Sequence, residues 1–435
     1  MEYTPAIAAV ALVAFAVVSK RLSRSAVTGT MLFTALGLLL GPEALDIVNF
    51  DGLLGRFDLV TFVLTATLVI VLFTDASAIN SSNWRDDIIP ARLLGIGLPV
   101  AIGLGWLLAL VLFGTLEIWE AAVLGTMLAP TDAALGKAVV SNERVPRRVR
   151  QALNIESGLN DGISLPVFIV FLETALVAEQ SLAISDIFIE LVKQVGVAVV
   201  VGGAVGWIGA RAIAWGRASG AAVGYWLEIG LVGLAVSAYT ISTPMGGSGF
   251  IAAWVAGFVF GRWFVWTTDD SLPEFAEASG DLLTMASFLV FGIFLGPVLA
   301  NLSWQIVAYG VISLAVVRLI AVSVALIGAK MRLQSILYMG WFGPRGLATI
   351  ILTIEIIDES TLGGSSTIAN AALFTVGLSV LSHGLTAWWG SNAYADFVEA
   401  HPQRADLGEV REPVEAVRVP LRSRQHPVVT RDDQR

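Results

Sequence analysis

The sequence predicts an all-α polytopic membrane protein of about thirteen transmembrane helices. Three observations carry that expectation. First, 56% of the 435 residues are hydrophobic and only 14% are charged, against about 25% charged in a soluble domain. So few charged side chains cannot cover a water-facing surface, which excludes a soluble globular protein, a disordered chain and a nucleic-acid binder. Second, apolar residues lie in runs of roughly 17 to 25, the length of a bilayer-spanning helix. Third, the basic residues collect in alternate gaps between those runs, as cytoplasmic loops do. The chain has no cysteine, so it has neither a disulfide framework nor a thiolate metal site.

The run from Met1 to Val18 has its positive charge after it, at Lys20 and Arg21. A signal peptide carries that charge before the apolar stretch, so this run reads as an uncleaved first helix. Further helices are expected near 26–40, 58–79, 91–114, 118–140, 150–176, 187–214, 221–241, 247–265, 280–299, 304–329, 334–356 and 366–390. Alternate loops then carry Lys20, Arg21 and Arg24; Arg85 and Arg92; Lys137, Arg144, Arg147, Arg148 and Arg150; Arg211 and Arg217; Arg262; and Lys330 and Arg332. The opposite loops carry Arg56 alone. This asymmetry puts the N-terminus outside and the C-terminus in the cytoplasm of a multi-pass plasma-membrane protein. Residues 1–390 form the transmembrane domain. Residues 391–435 mix seven Arg with eight Asp or Glu without an apolar period, and read as a mobile cytoplasmic tail.

Charges inside the spans are the informative residues. An ionisable group in hydrocarbon costs at least ~2.5 kcal/mol and normally faces a partner or a watery path. Lys193 lies near a helix end, where it can snorkel. Arg318 and Arg345 are mid-span, as are Asp75, Asp132, Glu156, Asp161 and Glu228. Each alone could be half of a structural ion pair; as a group they point to a functional path.

Two of them sit beside helix breakers. Pro130 in Ala129-Pro130-Thr131-Asp132 and Pro344 in Gly343-Pro344-Arg345-Gly346 lie inside the fifth and twelfth spans. A mid-helix proline removes a backbone hydrogen bond, and the freed carbonyls need neighbours, water or a bound cation. Ordinary proline kinks are the plainer reading. Two interrupted helices in corresponding halves, each with a charge at the break, instead indicate inverted repeats around a midplane site. In the sixth span, Asn154, Glu156, Ser157, Asn160 and Asp161 place five polar side chains in eight positions. Ser157 and Asp161 share one helix face, and Glu156 and Asn160 the next. Carboxylate, hydroxyl and carbonyl oxygens suit a hard cation, not a transition metal.

Pro130-Thr131-Asp132, the Glu156-Ser157-Gly158-Leu159-Asn160-Asp161 run and the later Gly-Pro-Arg-Gly resemble the monovalent cation:proton antiporters of the sodium/hydrogen exchanger family. The likeness spans most of residues 5–390. It implies a dimerisation part and a six-helix core, in which two unwound helices cross at the ion site, and a homodimer. It implies that Asp161 binds the monovalent cation or the proton, with Thr131, Asp132, Ser157 and Asn160 lining the site and Asp75 as an accessory acid. Asn160 stands where electrogenic relatives carry a second Asp. Glu156 is expected to pair with Arg318, and Arg345 is the broken-helix arginine. Three positions depart from the family pattern: Ala133 follows Asp132 in place of Pro, Thr74 separates Asp75 from the preceding Phe, and Pro344 precedes the core Arg in place of Leu.

The chemistry follows from one carboxylate. Burial disfavours its bare charge, and either a proton or a bound cation relieves that cost. If only the loaded carboxylate crosses, one proton exchanges for one cation. The expectation is therefore electroneutral exchange of Na⁺ (or Li⁺ or K⁺) for H⁺, serving sodium transport and pH homeostasis, with no enzyme activity, no cofactor and no nucleotide. A K⁺/H⁺ antiporter or a cation channel is the alternative; a repeated carbonyl filter of the Thr-Val-Gly-Tyr-Gly kind is absent from the sequence. A remote alternative is an intramembrane serine protease, from Gly246-Gly247-Ser248-Gly249 and His383.

Overall fold

The computed structural model describes residues 4–401 apart from 23–24, 26, 49–56, 79–87, 141, 181–183, 222–223, 265–271 and 359–361. Arg24, Arg56, Arg85 and the tail beyond His401 therefore lie outside the described residues. Every regular element among the described residues is a helix. In order the helices are α1 (Thr4–Leu22), α2 (Gly29–Leu40), α3 (Phe57–Ser77), α4 (Ile88–Leu112), α5a (Ile118–Met127), α5b (Ala133–Val140), α6 (Arg147–Gln180) and α7 (Ile184–Ala218). They continue with α8 (Gly224–Ser242), α9 (Gly249–Trp263), α10 (Leu272–Ala300), α11 (Trp304–Ala325), α12a (Leu333–Trp341), α12b (Leu347–Asp358) and α13 (Ser365–Ala400). Eight of these are long and apolar enough to cross a membrane, and five shorter apolar helices accompany them. With the two broken helices each counted once, the described residues give thirteen helices, of which eight are long and apolar enough to span a membrane.

Small residues set the packing of the helices that flank the site. A Cβ on Gly257 or Gly261 of α9 would come within 2.2 Å of a backbone oxygen of α3, at Phe73 and Ser77. A Cβ on Gly202 or Gly206 of α7 would meet the Ala252 and Ala256 carbonyls of α9 at 2.4 and 2.3 Å. Helices in lipid gain no hydrophobic drive from one another, so close backbone approach through small residues is what joins them. α9 is thereby wedged between α3 and α7.

Two features were not expected. α4 and α11 each contain one π-helical turn, Leu93–Gly97 and Ser313–Val317. These helices immediately precede the two broken ones and lie against each other, with Gly97 facing Ala325. The matching turns extend the correspondence between the halves beyond the broken helices themselves. Second, α13 runs to Ala400, ten residues past its expected end at 390. Ser391, Tyr394, Ala395 and Val398 of this extension are buried. Tyr394 donates to Ser335 Oγ at 2.8 Å and stacks on Tyr338 at 4.3 Å. Arg144, in the α5b–α6 loop, donates to Glu399 at 2.9 and 3.0 Å and also binds Asp396. The guanidinium holds the Glu399 carboxyl below its usual range. The buried residues of the extension recur at helical spacing over a single short stretch, and hydrogen bonds, aromatic stacking and ion pairs hold the rest, so residues 391–400 continue the last helix in place of the tail expected from 391.

A candidate ion site where two broken helices cross

The interruptions of α5 and α12 touch: the Asp132 N–H donates to the Pro344 carbonyl at 2.8 Å. Four half-helix ends meet there, each with unsatisfied backbone groups. One carboxylate serves both N-termini. Asp132 Oδ1 accepts from Leu135 N–H in α5b at 3.0 Å, and Oδ2 from Leu347 N–H in α12b at 2.6 Å. A negative charge at two positive helix ends is the favourable sign.

The C-terminal ends are met by cations and polar groups. Arg345, fully buried, donates from Nη1 to the Ala129 and Pro130 carbonyls, the latter at 2.8 Å. These carbonyls lie where the chain break ends the α5a ladder, and Arg345 takes them. His383 Nε2 lies 2.8 Å from the Trp341 carbonyl at the end of α12a. His383 Nδ1 lies 3.0 Å from the Ser379 carbonyl, so both ring nitrogens face backbone carbonyls. Ser379 Oγ receives the Arg345 backbone N–H at 2.7 Å and lies 3.1 Å from His383 Nδ1. Sequence reasoning missed Ser379 and gave His383 no part in the crossing; a histidine in an apolar span was the available signal.

The crossing depends on Gly346, where a Cβ would fall 2.1 Å from Asp132 Oδ2. Gly346→Ala is expected to push Asp132 off Leu347 N–H. Losing one helix cap costs about 1 kcal/mol, so the melting temperature in detergent should fall and exchange should slow. An unchanged melting curve would show that the crossing adapts without using this contact.

The polar run of α6 packs against the break in α5. Asn160 Nδ2 donates to Thr131 Oγ1 at 2.7 Å and to the Thr131 carbonyl at 3.2 Å. Thr131 Oγ1 also pairs with Ser157 Oγ at 3.0 Å. Thr131 and Asn160 are 2% and 1% exposed, and Asn160 Oδ1 is buried with no partner. One turn from Asn160, Glu156 and Arg318 form a two-pronged pair, Nη1–Oε1 at 2.5 Å and Nη2–Oε2 at 2.8 Å. Both are buried. Arg318 is the first residue after the π turn of α11, and such turns often mark functional positions in helices.

Asp161 differs from these acids. It is half-buried on α6, and among the described residues no hydrogen bond or ion pair engages its carboxylate. Asp132 and Asp75 are near enough for their charges to act on it. Trp254 of α9 covers this face of α6: its Nε1 donates to the Gly158 carbonyl at 3.3 Å, and a Cβ on Gly162 would fall 2.2 Å from its ring. A narrow slot of ≈ 10 Å³, lined by Gly136, Asn154, Ser157, Phe342 and Pro344, reaches the site from the end bearing the α5b–α6 loop. The structure thus gathers Thr131, Asp132, Ser157, Asn160 and Asp161 with Asp75 nearby. It assigns the Asp132 carboxylate to two backbone N–H groups.

The protease alternative finds no site. Ser248 accepts from Ile251 N–H as the cap of α9, while His383 is committed to Ser379 and Trp341.

The chain is 26% identical over 336 residues to the K(+)/H(+) antiporter NhaP of Alkalimonas amylolytica, covering 74% of this chain and 55% of that protein. It is 25% identical over 367 residues to the K(+)/H(+) antiporter NhaP2 of Shewanella sp. (strain ANA-3), covering 83% and 62%. The chain thus spans little more than half the length of these curated relatives. The fold matches that of the sodium proton antiporter MjNhaP1 from Methanocaldococcus jannaschii at pH 8, with a TM-score of 0.70 over 91% of this chain and 99% of that one, at 23% identity. The model of the transmembrane sodium/hydrogen exchanger matches residues 7–389. These residues take in both broken helices, the Asn160-Asp161 pair and the arginines that brace the crossing, and the chain belongs to the sodium/hydrogen exchanger family, a family of transporters.

Proposed function

We propose that this protein exchanges a monovalent cation for protons across the plasma membrane through Asp161. One observation carries the reading. Of the acids in the core, Glu156 is paired with Arg318 and Asp132 caps two helices, while the Asp161 carboxylate has neither duty among the described residues. It follows Asn160 directly and lies one turn past Ser157 on α6, and Asn160 and Ser157 are both bonded to Thr131 at the break of α5; hydroxyl, amide and carboxylate oxygens suit a hard monovalent cation. A proton or a cation relieves its charge, and the empty carboxylate is costly to carry across.

Na⁺ is the cation we propose, by analogy with the sodium proton antiporter that shares the fold. K⁺ is a second reading, favoured by the K(+)/H(+) antiporters among the curated relatives. Residues 1–390 are the proposed transport unit, working as a homodimer, with the N-terminus outside and the chain beyond 390 in the cytoplasm. The placement of basic loops supports that orientation. With Asn160 neutral, one proton for one cation leaves no net charge movement.

Reconstitution in proteoliposomes tests both points. Addition of Na⁺, Li⁺ or K⁺ in turn should release trapped protons with one ion preferred. A valinomycin-clamped potential should leave the rate unchanged. A several-fold change with potential, or a sustained current on a supported membrane, would overturn the one-for-one ratio and leave exchange intact. Proton release with none of the three ions would overturn exchange.

A further inference from the structure

A second acidic position lies at the other end of the bundle. Between α3, α8, α9 and α12b there is a cavity of ≈ 130 Å³ lined by Thr61, Thr65, Tyr239, Phe250 and Glu355, with apolar side chains between them. Thr61 and Thr65 are near the start of α3, Tyr239 near the end of α8, Phe250 at the start of α9 and Glu355 near the end of α12b. By the helix order all four positions fall at the end opposite the α5b–α6 and α11–α12 loops. Glu355 is exposed, whereas its neighbours Ile354 and Ile356 are 2% and 0% exposed. Its polar head is thus turned to the cavity and not packed in the core. The volume holds about four waters at ~30 Å³ each, enough to keep a carboxylate and a small cation hydrated. Thr61 Oγ1 is buried without a hydrogen-bond partner, a further oxygen available on that wall.

Two of the helices that line the cavity run on to the site. On α3, Thr61, Thr65, Leu68, Leu72 and Asp75 recur at helical spacing along one face. This stripe ends at the acid whose charge acts on Asp161. On α9, Trp254 is one turn past Phe250, and it covers Gly158 and Gly162 beside Asp161. Along α9, Trp254 thus stands between the Phe250 wall of the cavity and the ion site.

We propose that this cavity is an outer cation vestibule, in which Glu355 gathers hydrated monovalent cations from the face opposite the basic loops before they reach Asp161. A carboxylate in a cleft with low-dielectric walls raises the local cation concentration and the entry rate. Glu355 needs no direct contact with the dehydrated ion for this. The inference deepens the exchange reading and rests on it for the final transfer to Asp161.

The chain has no cysteine, so Thr65→Cys installs a single thiol in the cavity of the full-length protein. Membrane-impermeant cationic and anionic thiosulfonates are applied to right-side-out and to everted vesicles, with rates normalised to a free thiol. The expected result is labelling from the outer face only, with the cationic reagent favoured roughly threefold to tenfold at low ionic strength. Glu355→Gln should erase that preference, and ~0.15 M salt should shrink it in the Thr65→Cys protein. The Glu355→Gln protein should also need several-fold more outside cation for half-maximal exchange, with its maximal rate and its half-saturation from the inner face unchanged.

Labelling absent from the outer face, or a charge preference indifferent to Glu355→Gln, overturns the vestibule. So does a half-saturation shifted equally from both faces, since Glu355 would then act on Asp161 itself. If no monovalent cation drives proton release in the unaltered protein, the exchange reading falls, while the labelling arm still decides whether Glu355 makes an outer cation-attracting cavity.

Discussion

Asp161→Asn is expected to abolish cation-driven proton release while leaving the protein folded. The substitution keeps the side chain's size and removes its ability to hold a proton or balance a cation. Two neighbouring core acids have structural duties that account for their burial: Glu156 with Arg318 at 2.5 and 2.8 Å, and Asp132 with Leu135 and Leu347 N–H. No such bond is lost at Asp161 among the described residues, so the melting temperature in detergent should not fall. Removing a like charge near Asp132 and Asp75 should if anything raise it. Proton release in proteoliposomes should drop below roughly a tenth of the unaltered rate, a loss of more than ~1.4 kcal/mol of transition-state stabilisation. Residual exchange above that level in a normally folded variant would move the proton site, with Asp132 the next residue to change.

Glu156→Ala and Arg318→Ala are expected to fail in the opposite way, through stability before transport. Each leaves the other charge buried at about 3% exposure. Breaking such a pair from one side costs ~3–5 kcal/mol. The loss is sharpened because Arg318 Nη2 also reaches the Met339 carbonyl at 3.5 Å near the end of α12a. The double change removes both charges, so its loss should be well below the sum of the two single losses. Thermal melting of all four proteins in one detergent gives the coupling. Additive losses would mean that the two residues are independently supported, and Arg345 would then be tested against Glu156.

Much of this was legible along the chain because a bilayer punishes polar groups so heavily. The all-helical, polytopic character follows from the apolar runs, and eight of the helices are long and apolar enough to span. The importance of Asp132, Glu156, Asp161, Arg318 and Arg345 follows from the cost of placing them there. The pairing of Glu156 with Arg318 entered through family resemblance and stands in the structure as a bidentate contact.

The division of labour among the acids was not legible. Composition treats Asp132 and Asp161 alike, and the resemblance alone set Asp161 apart; the meeting of two broken helices turns Asp132 into a double cap, while the Asp161 carboxylate has no hydrogen bond or ion pair among the described residues. Proline did not decide where helices break either. Pro166 and Pro297 lie inside continuous α6 and α10, whereas the chain opens around Pro130 and Pro344. The difference is that Asp132, Arg345, Ser379 and His383 wait at the crossing to take the backbone groups an open helix exposes. The π turn that precedes Arg318 and the length of α13 belong to the same class. Apolar pattern fixes which residues enter the membrane, since transfer from water depends on each residue's own surface. Which helix unwinds, and which carboxylate stays uncommitted, depends on partners more than two hundred residues away in sequence.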